Sequence, residues 1–296
     1  MTLKNNFIDF KSLARSISLI EYKAAGFEGL LLNLKPSSAK IIGITGAPGS
    51  GKSSLTDALI GEMIAKEKKV AVICVDPSSP FNQGALLGDR IRMSDWYNHP
   101  DVFIRSLASK GSLGGLHPKI FEISDLMKSA GFDFIIIETV GVGQSEVDIA
   151  ALADITVVML VPEGGDSIQT MKAGLMEVAD IFVVNKYDRP GAQNFYNTLL
   201  QILSPVFNKK EIQIPVLKTT VTEKKGIKEL YEIIEKWKFD NLSEQRINLF
   251  TEKVWTLIQK EKMKNFDKEK IRERIANEIS KPGFNAYSFA KNYKKN

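Results

Sequence analysis

At 296 residues, 44% of them hydrophobic and 25% charged, the chain can bury one sizeable core with appendages and is too apolar to be disordered. No apolar run approaches the roughly 20 residues of a spanning helix, the opening MTLKNNFIDFKSL lacks the order of a secretory signal, and the single cysteine excludes an internal disulfide. The formal charge of +5 belongs to the tail, where residues 245–296 carry 13 Lys and Arg against 6 Asp and Glu. Both signs recur there at helical spacing, which reads as a solvated helical face and not as a site for nucleic acid or a membrane. A cytoplasmic location is expected.

Residues 1–39 place Leu13, Ile17, Leu19, Ile20 and Leu30 to Leu32 between charges, the pattern of short helices packed on something larger. From 40 to 240, apolar runs of strand length alternate with longer segments of helical period. The runs read KIIGIT, KVAVICV, VFIRS, DFIIIE, ITVVMLV, DIFVVN and IPVL. Cys74 lies inside the second and reads as a small core side chain. Runs apolar on both faces, joined by crossover helices, predict an α/β fold: a doubly wound, mostly parallel sheet that binds ligands beyond the carboxyl ends of its strands. From 241 to 296, Ile247, Phe250, Val254, Leu257 and Ile258 form one apolar stripe, and Ile271, Ile275 and Ile279 another. We expect three parts: an N-terminal helical extension (1–39), a nucleotide-binding domain (40–240) and a C-terminal helical dimerisation arm (241–296).

The first chemical motif follows the first strand. Gly46, Ala47, Pro48, Gly49, Ser50, Gly51, Lys52 and Ser53 spell GAPGSGKS, and Ser54 onward reads as a helix. Glycines there let backbone amides curl around phosphate oxygens, and the helix N-terminus adds partial positive charge. Lys52 reaches the outer phosphates, and the Ser53 hydroxyl can bind Mg²⁺. The second motif, Asn185, Lys186, Tyr187 and Asp188, ends the sixth run. A carboxylate at Asp188 can accept from the N1 and N2 donors of guanine, which adenine does not offer, so GTP is expected to bind and ATP to bind poorly.

Three carboxylates lie at strand ends or just beyond: Asp76, Asp89 and Glu138. Mg²⁺ takes near-octahedral oxygen and retains several waters, so these acids, directly or through water, would complete the shell begun by Ser53 and the phosphates. Glu138 suits the outer shell, and Gly141 offers an amide to the terminal phosphate.

Taken together, GITGAPGSGKSSL, VDPSSPFNQGALLGDRIRM, FIRSLASKGSLGGL, ETVGVGQSEVD, GDSIQTMKAG and ADIFVVNKYDRPGA resemble the MeaB/ArgK/MMAA-type GTPases over nearly the whole chain. These are P-loop proteins allied to the signal-recognition and metal-insertion GTPases. The resemblance implies that Asp76, Asp89 and Glu138 surround magnesium on switch segments, and that Thr220, Val221 and Thr222 form a second guanine loop. It further implies a homodimeric, GTP-driven chaperone of an adenosylcobalamin-dependent acyl-CoA mutase of the methylmalonyl-CoA type, gating cofactor loading and protecting the enzyme. The cobalamin would belong to the partner, since the only histidines, His99 and His117, each precede proline and form no cobalamin motif.

The chain departs from the family pattern in places. Glu163, in PEGGD, stands where glycine is usual, in a third switch-like segment with Asp166, Gln169 and Lys172, and Val221 replaces a small residue. Gln144 comes three residues after Gly141, whereas the water-orienting glutamine of Ras-like switches follows that glycine directly. Arg105 is either a second-layer cation or a structural ion pair. A GTPase with no supplied arginine finger turns over about 10⁻⁴ to 10⁻² times per second, slow enough to act as a switch. The runner-up is an ArgK-like ATPase or kinase accessory to amino-acid transport binding proteins, for which no acceptor motif is visible. A nickel-insertion GTPase would need a histidine or cysteine cluster that two histidines and one cysteine do not supply.

Overall fold

The computed structural model of the chain describes residues 9–76, 93–109, 116–139, 149–150, 152–163, 179–210, 214–237, 244–263, 266–281 and 283–293. All seven apolar runs are strands: β1 (Lys40–Gly46), β2 (Val70–Asp76), β3 (Val102–Ala108), β4 (Phe134–Glu138), β5 (Ile155–Leu160), β6 (Ile181–Val184) and β7 (Val216–Lys218). They form one sheet in the order β3-β2-β4-β1-β5-β6-β7, with every neighbouring pair parallel. The expected doubly wound α/β fold is what the chain adopts.

The sequence explains the layers. Alternate residues of each strand serve opposite faces, and both sets are apolar, so both faces need a cover. On one face Ile42, Ile44, Val72, Ile136, Val157, Met159 and Val183 meet α3 (Lys52–Ile64) and α6 (Ile227–Lys236). Helix α3 supplies Leu55, Leu59, Ile60 and Met63 at helical spacing, all fully buried. On the other face Ile41, Ile73, Ile135 and Ile137 meet α1 (Phe10–Glu21), α2 (Phe27–Leu32) and α4 (Ile120–Ser129). Toward β7, Val158, Leu160, Phe182 and Val184 pack with Leu199 and Leu203 of α5 (Ala192–Lys210).

The opening segment contributes Leu13, Ile17 and Ile20 to this core, while Leu19 and Leu32 are exposed. Polar side chains fasten the layers as well. The Lys40 ammonium donates to the carbonyls of Ile234, Glu235 and Trp237 at 3.1, 2.6 and 3.0 Å, closing the C-terminus of α6 where a cation is favoured. Burial lowers the Lys40 pKa, and the Glu235 and Asp154 carboxylates oppose that shift.

Contacts divide the chain into two units, Met1–Phe239 and Asp240–Asn296. The second holds α7 (Glu244–Met263), α8 (Lys268–Glu278) and α9 (Ala286–Asn292). Asp267 caps α8 and Asn285 caps α9 through their side-chain oxygens. Phe266, Phe284, Phe289 and Tyr293 form a ring cluster, with the Arg274 guanidinium 4.7 Å from the Tyr293 ring. On α7, Ile247, Val254, Trp255, Leu257 and Ile258 are exposed, as is Ile279 beyond α8.

Candidate functional site

The strand order gathers the motifs at one edge. β1 runs between β4 and β5, so the loop leaving it has Glu138 at the end of one neighbouring strand and Glu163 just past the other. Asp76 ends β2, two residues beyond the register partner of Glu138, while the Asn185 loop follows β6 and the Thr220 loop follows β7. These are the carboxyl ends flanking the point where the chain changes its direction of sheet growth, the expected binding edge of an open α/β sheet.

The GAPGSGKS loop needs its glycines for space as well as for dihedral freedom. Gly46 has φ +143, and a Cβ there would lie 2.3 Å from the Met159 carbonyl oxygen. Gly51 has φ +98, and its Cβ would lie 2.5 Å from Asn185 Nδ2. The Ser50 amide closes the turn on the Ala47 carbonyl at 3.1 Å, and α3 follows Gly51, which as N-cap offers no side chain. The N-terminus of such a helix directs partial positive charge toward the loop. Ala47, Pro48, Gly49 and Ser54 are exposed, whereas Ser50, Lys52 and Ser53 are buried. The Lys52 ammonium lies against the loop, donating to the Gly46 and Ala47 carbonyls at 2.9 and 3.2 Å.

Glu138, 5% exposed, accepts a hydrogen bond from Ser53 Oγ at 2.6 Å. Its second oxygen lies 3.1 Å from Thr56 Oγ1, which is also 3.0 Å from the Lys52 carbonyl, so one hydroxyl proton faces two acceptors. Glu138 thus holds the serine of the phosphate loop. Thr56 was not among the expected site residues. Its position three residues after Ser53 on one helix face was the available signal. Asp76 is likewise buried. Asp89, Gly141, Gln144, Asp166, Gln169 and Lys172 lie outside the described residues.

Asn185 is the hinge of the other half. Its Nδ2 donates to the Ser50 carbonyl at 2.8 Å, and its Oδ1 accepts from Thr219 Oγ1 at 3.1 Å and the Val221 amide at 3.4 Å. One buried amide thus ties the phosphate loop to the segments that follow β6 and β7. Thr220 is buried, Thr222 exposed, and the Val221 side chain belongs to the core shared with α3, so only its backbone takes part in this link. Lys186 has φ +55, and the Tyr187 amide bonds the Thr219 carbonyl at 3.0 Å. Asp188 is exposed. Hydrogen bonding to Glu223 raises the Lys225 pKa, and the negative field of Glu223 and Asp188 adds to it.

Arg105 takes the structural alternative. Its guanidinium contacts Glu21 Oε2 at 3.2 Å and Ser18 Oγ at 3.4 Å, both on α1, across the sheet from α3. Ile104, its neighbour, packs on the α3 side, which is why Arg105 points away from the phosphate loop.

A family profile described as methylmalonyl Co-A mutase-associated GTPase MeaB matches residues 13–278. A GTPase-named protein of Pyrococcus horikoshii is 45% identical over 260 residues, spanning 84% of this chain and 82% of that one. The fused isobutyryl-CoA mutase of Geobacillus kaustophilus is 35% identical over 230 residues, which are 73% of this chain and 21% of that protein. Among solved structures, one titled LAO/AO transport system kinase superposes with a TM-score of 0.64 at 24% identity, covering 96% of this chain and 91% of that one, a likeness of fold. The chain therefore belongs to the family of methylmalonyl Co-A mutase-associated GTPases, MeaB.

Proposed function

We propose that the protein is a Mg²⁺-dependent GTPase with slow intrinsic turnover that acts as a chaperone of an adenosylcobalamin-dependent acyl-CoA mutase. The observation that carries the nucleotide half of this reading is the 2.6 Å contact between Ser53 Oγ and Glu138. A serine hydroxyl has one proton and two lone pairs. Donating its proton to Glu138 leaves the Ser53 oxygen its lone pairs, through which it would ligate a phosphate-bound cation. Hard, buried oxygens from Ser53, Glu138 and Asp76 suit magnesium, and among the described residues no cluster of three or more His, Cys, Asp and Glu side chains offers an alternative metal site.

In this reading Ser53 would hold the cation directly, with Asp76, Asp89 and Glu138 acting on its hydration shell. Bound there, magnesium would neutralise charge on the terminal phosphates. Lys52 binds the outer phosphate oxygens, and the amides of the phosphate loop cradle the remainder. Asp188 accepts the guanine N1 and N2 protons, while Asn185 keeps the base loop in register with the phosphate loop.

The mutase partner rests on the family and on the fused relative, in which a related sequence occurs in one protein with an isobutyryl-CoA mutase. The apolar side chains exposed along α7 favour a homodimer built through the C-terminal arm. Among the described residues no helix is long and apolar enough to cross a membrane. The test is phosphate release from GTP with and without a purified methylmalonyl-CoA or isobutyryl-CoA mutase. Stimulation by a mutase and by no transport binding protein supports the proposal; the reverse selectivity refutes it.

A further inference from the structure

The base loop is a crowded place for a carboxylate that must accept from guanine. Lys186 and Arg189 flank Asp188 in sequence, and the Arg189 amide bonds the Lys186 carbonyl at 3.0 Å, so a tight turn carries both cations beside the acid. The Lys225 ammonium lies within the field of Asp188 as well. Any of these could pair with Asp188 and occupy the oxygens that guanine needs. Among the described residues, however, no ion pair reaches Asp188. Lys225 is held by Glu223 at 2.6 Å. The other two cations face Glu163, just past β5: Arg189 NH1 pairs with its Oε1, and Lys186 Nζ lies 4.0 Å from its Oε2.

We propose that Glu163 is a specificity-determining positioning residue, which draws Lys186 and Arg189 away from Asp188 and so leaves that carboxylate open to the base. This rests on the reading of Asp188 as the guanine acceptor. Lys186 itself holds φ +55, a conformation uncommon for a residue with a side chain, in the turn that the Arg189 amide closes on its carbonyl. The Glu163 carboxylate reaches from the end of β5, beside the phosphate-loop strand, to the loop after β6.

The test compares GDP with inosine diphosphate, which lacks the 2-amino donor, by displacement of a fluorescent GDP from the full chain. The wild type should prefer GDP by about tenfold or more, the worth of one hydrogen bond to a charged acceptor. Glu163→Gln should narrow that preference about two- to fivefold, the worth of exposed ion pairs, with an unchanged melting temperature. Adding Arg189→Gln to the Glu163→Gln variant, which removes the released guanidinium, should restore part of it. A Glu163→Gln variant that weakens both nucleotides equally, or neither, overturns the proposal. A wild type indifferent between the two nucleotides instead refutes the reading of Asp188 itself, and this inference with it.

Discussion

Replacing Glu138 with Gln isolates the contact on which the proposed cation site depends. The carboxylate receives Ser53 Oγ at 2.6 Å and faces Thr56 Oγ1 at 3.1 Å. A hydrogen bond to a charged acceptor contributes about 1.5–3 kcal/mol and a neutral one about 0.5–1.5, so losing the charge weakens each contact by about 1 kcal/mol. Two contacts give about 2 kcal/mol, or roughly 30-fold, the range expected when a group supporting a metal ligand is removed. The amide NH₂ would also compete for the Ser53 lone pairs, adding to the loss. Folding stability should respond differently. The carboxylate is 5% exposed, and neutralising it relieves a desolvation cost that is opposite in sign to the lost hydrogen-bond energy and similar in size, leaving the net change within about 1 kcal/mol.

The assay is phosphate release at saturating GTP as free Mg²⁺ is varied, beside urea unfolding of both proteins. The expected result for Glu138→Gln is a Mg²⁺ half-activation raised about 30-fold, with an unfolding midpoint close to that of the wild type. An unchanged Mg²⁺ dependence would refute the reasoning, and so would a collapse in stability large enough to account for lost activity.

Asn185→Ala should act on both fold and site, because it strands the Ser50 carbonyl and the Thr219 hydroxyl in a buried place. A stability loss of about 2–4 kcal/mol by chemical denaturation is expected, together with loss of GDP binding. Light scattering should give about twice 33.0 kDa for the full chain, and a monomer once residues 242–296 are removed. A full chain that stays at 33.0 kDa across micromolar concentrations would refute the dimer arm.

The sheet was legible because each strand is apolar on both faces, which fixes a two-sided cover whatever the connections. The phosphate loop was legible for a different reason: its glycines and the Lys-Ser pair are contiguous, so local chemistry specifies them. What the sequence hid is contact between distant segments. Nothing local to Asn185 announces the Ser50 carbonyl 135 residues away, or the Thr219 hydroxyl. Glu163 reads as a departure from a glycine pattern until its partners on the base loop are seen. Arg105 could be resolved only by the face it occupies, which depends on strand register, and Glu21 on α1 then supplies its charge. Val221 shows the same limit, since its place in the core follows from the turn it begins and not from its neighbours in sequence.

The central claim, that this edge of the sheet reads guanine above a magnesium-bound triphosphate, is tested most directly by calorimetric titration of the full chain with GTP and with ATP in the presence of Mg²⁺. The account predicts tight binding of GTP and discrimination against ATP by about 10⁴-fold, because a carboxylate placed to accept two protons meets none on adenine's corresponding edge. Comparable affinities for the two nucleotides would contradict it.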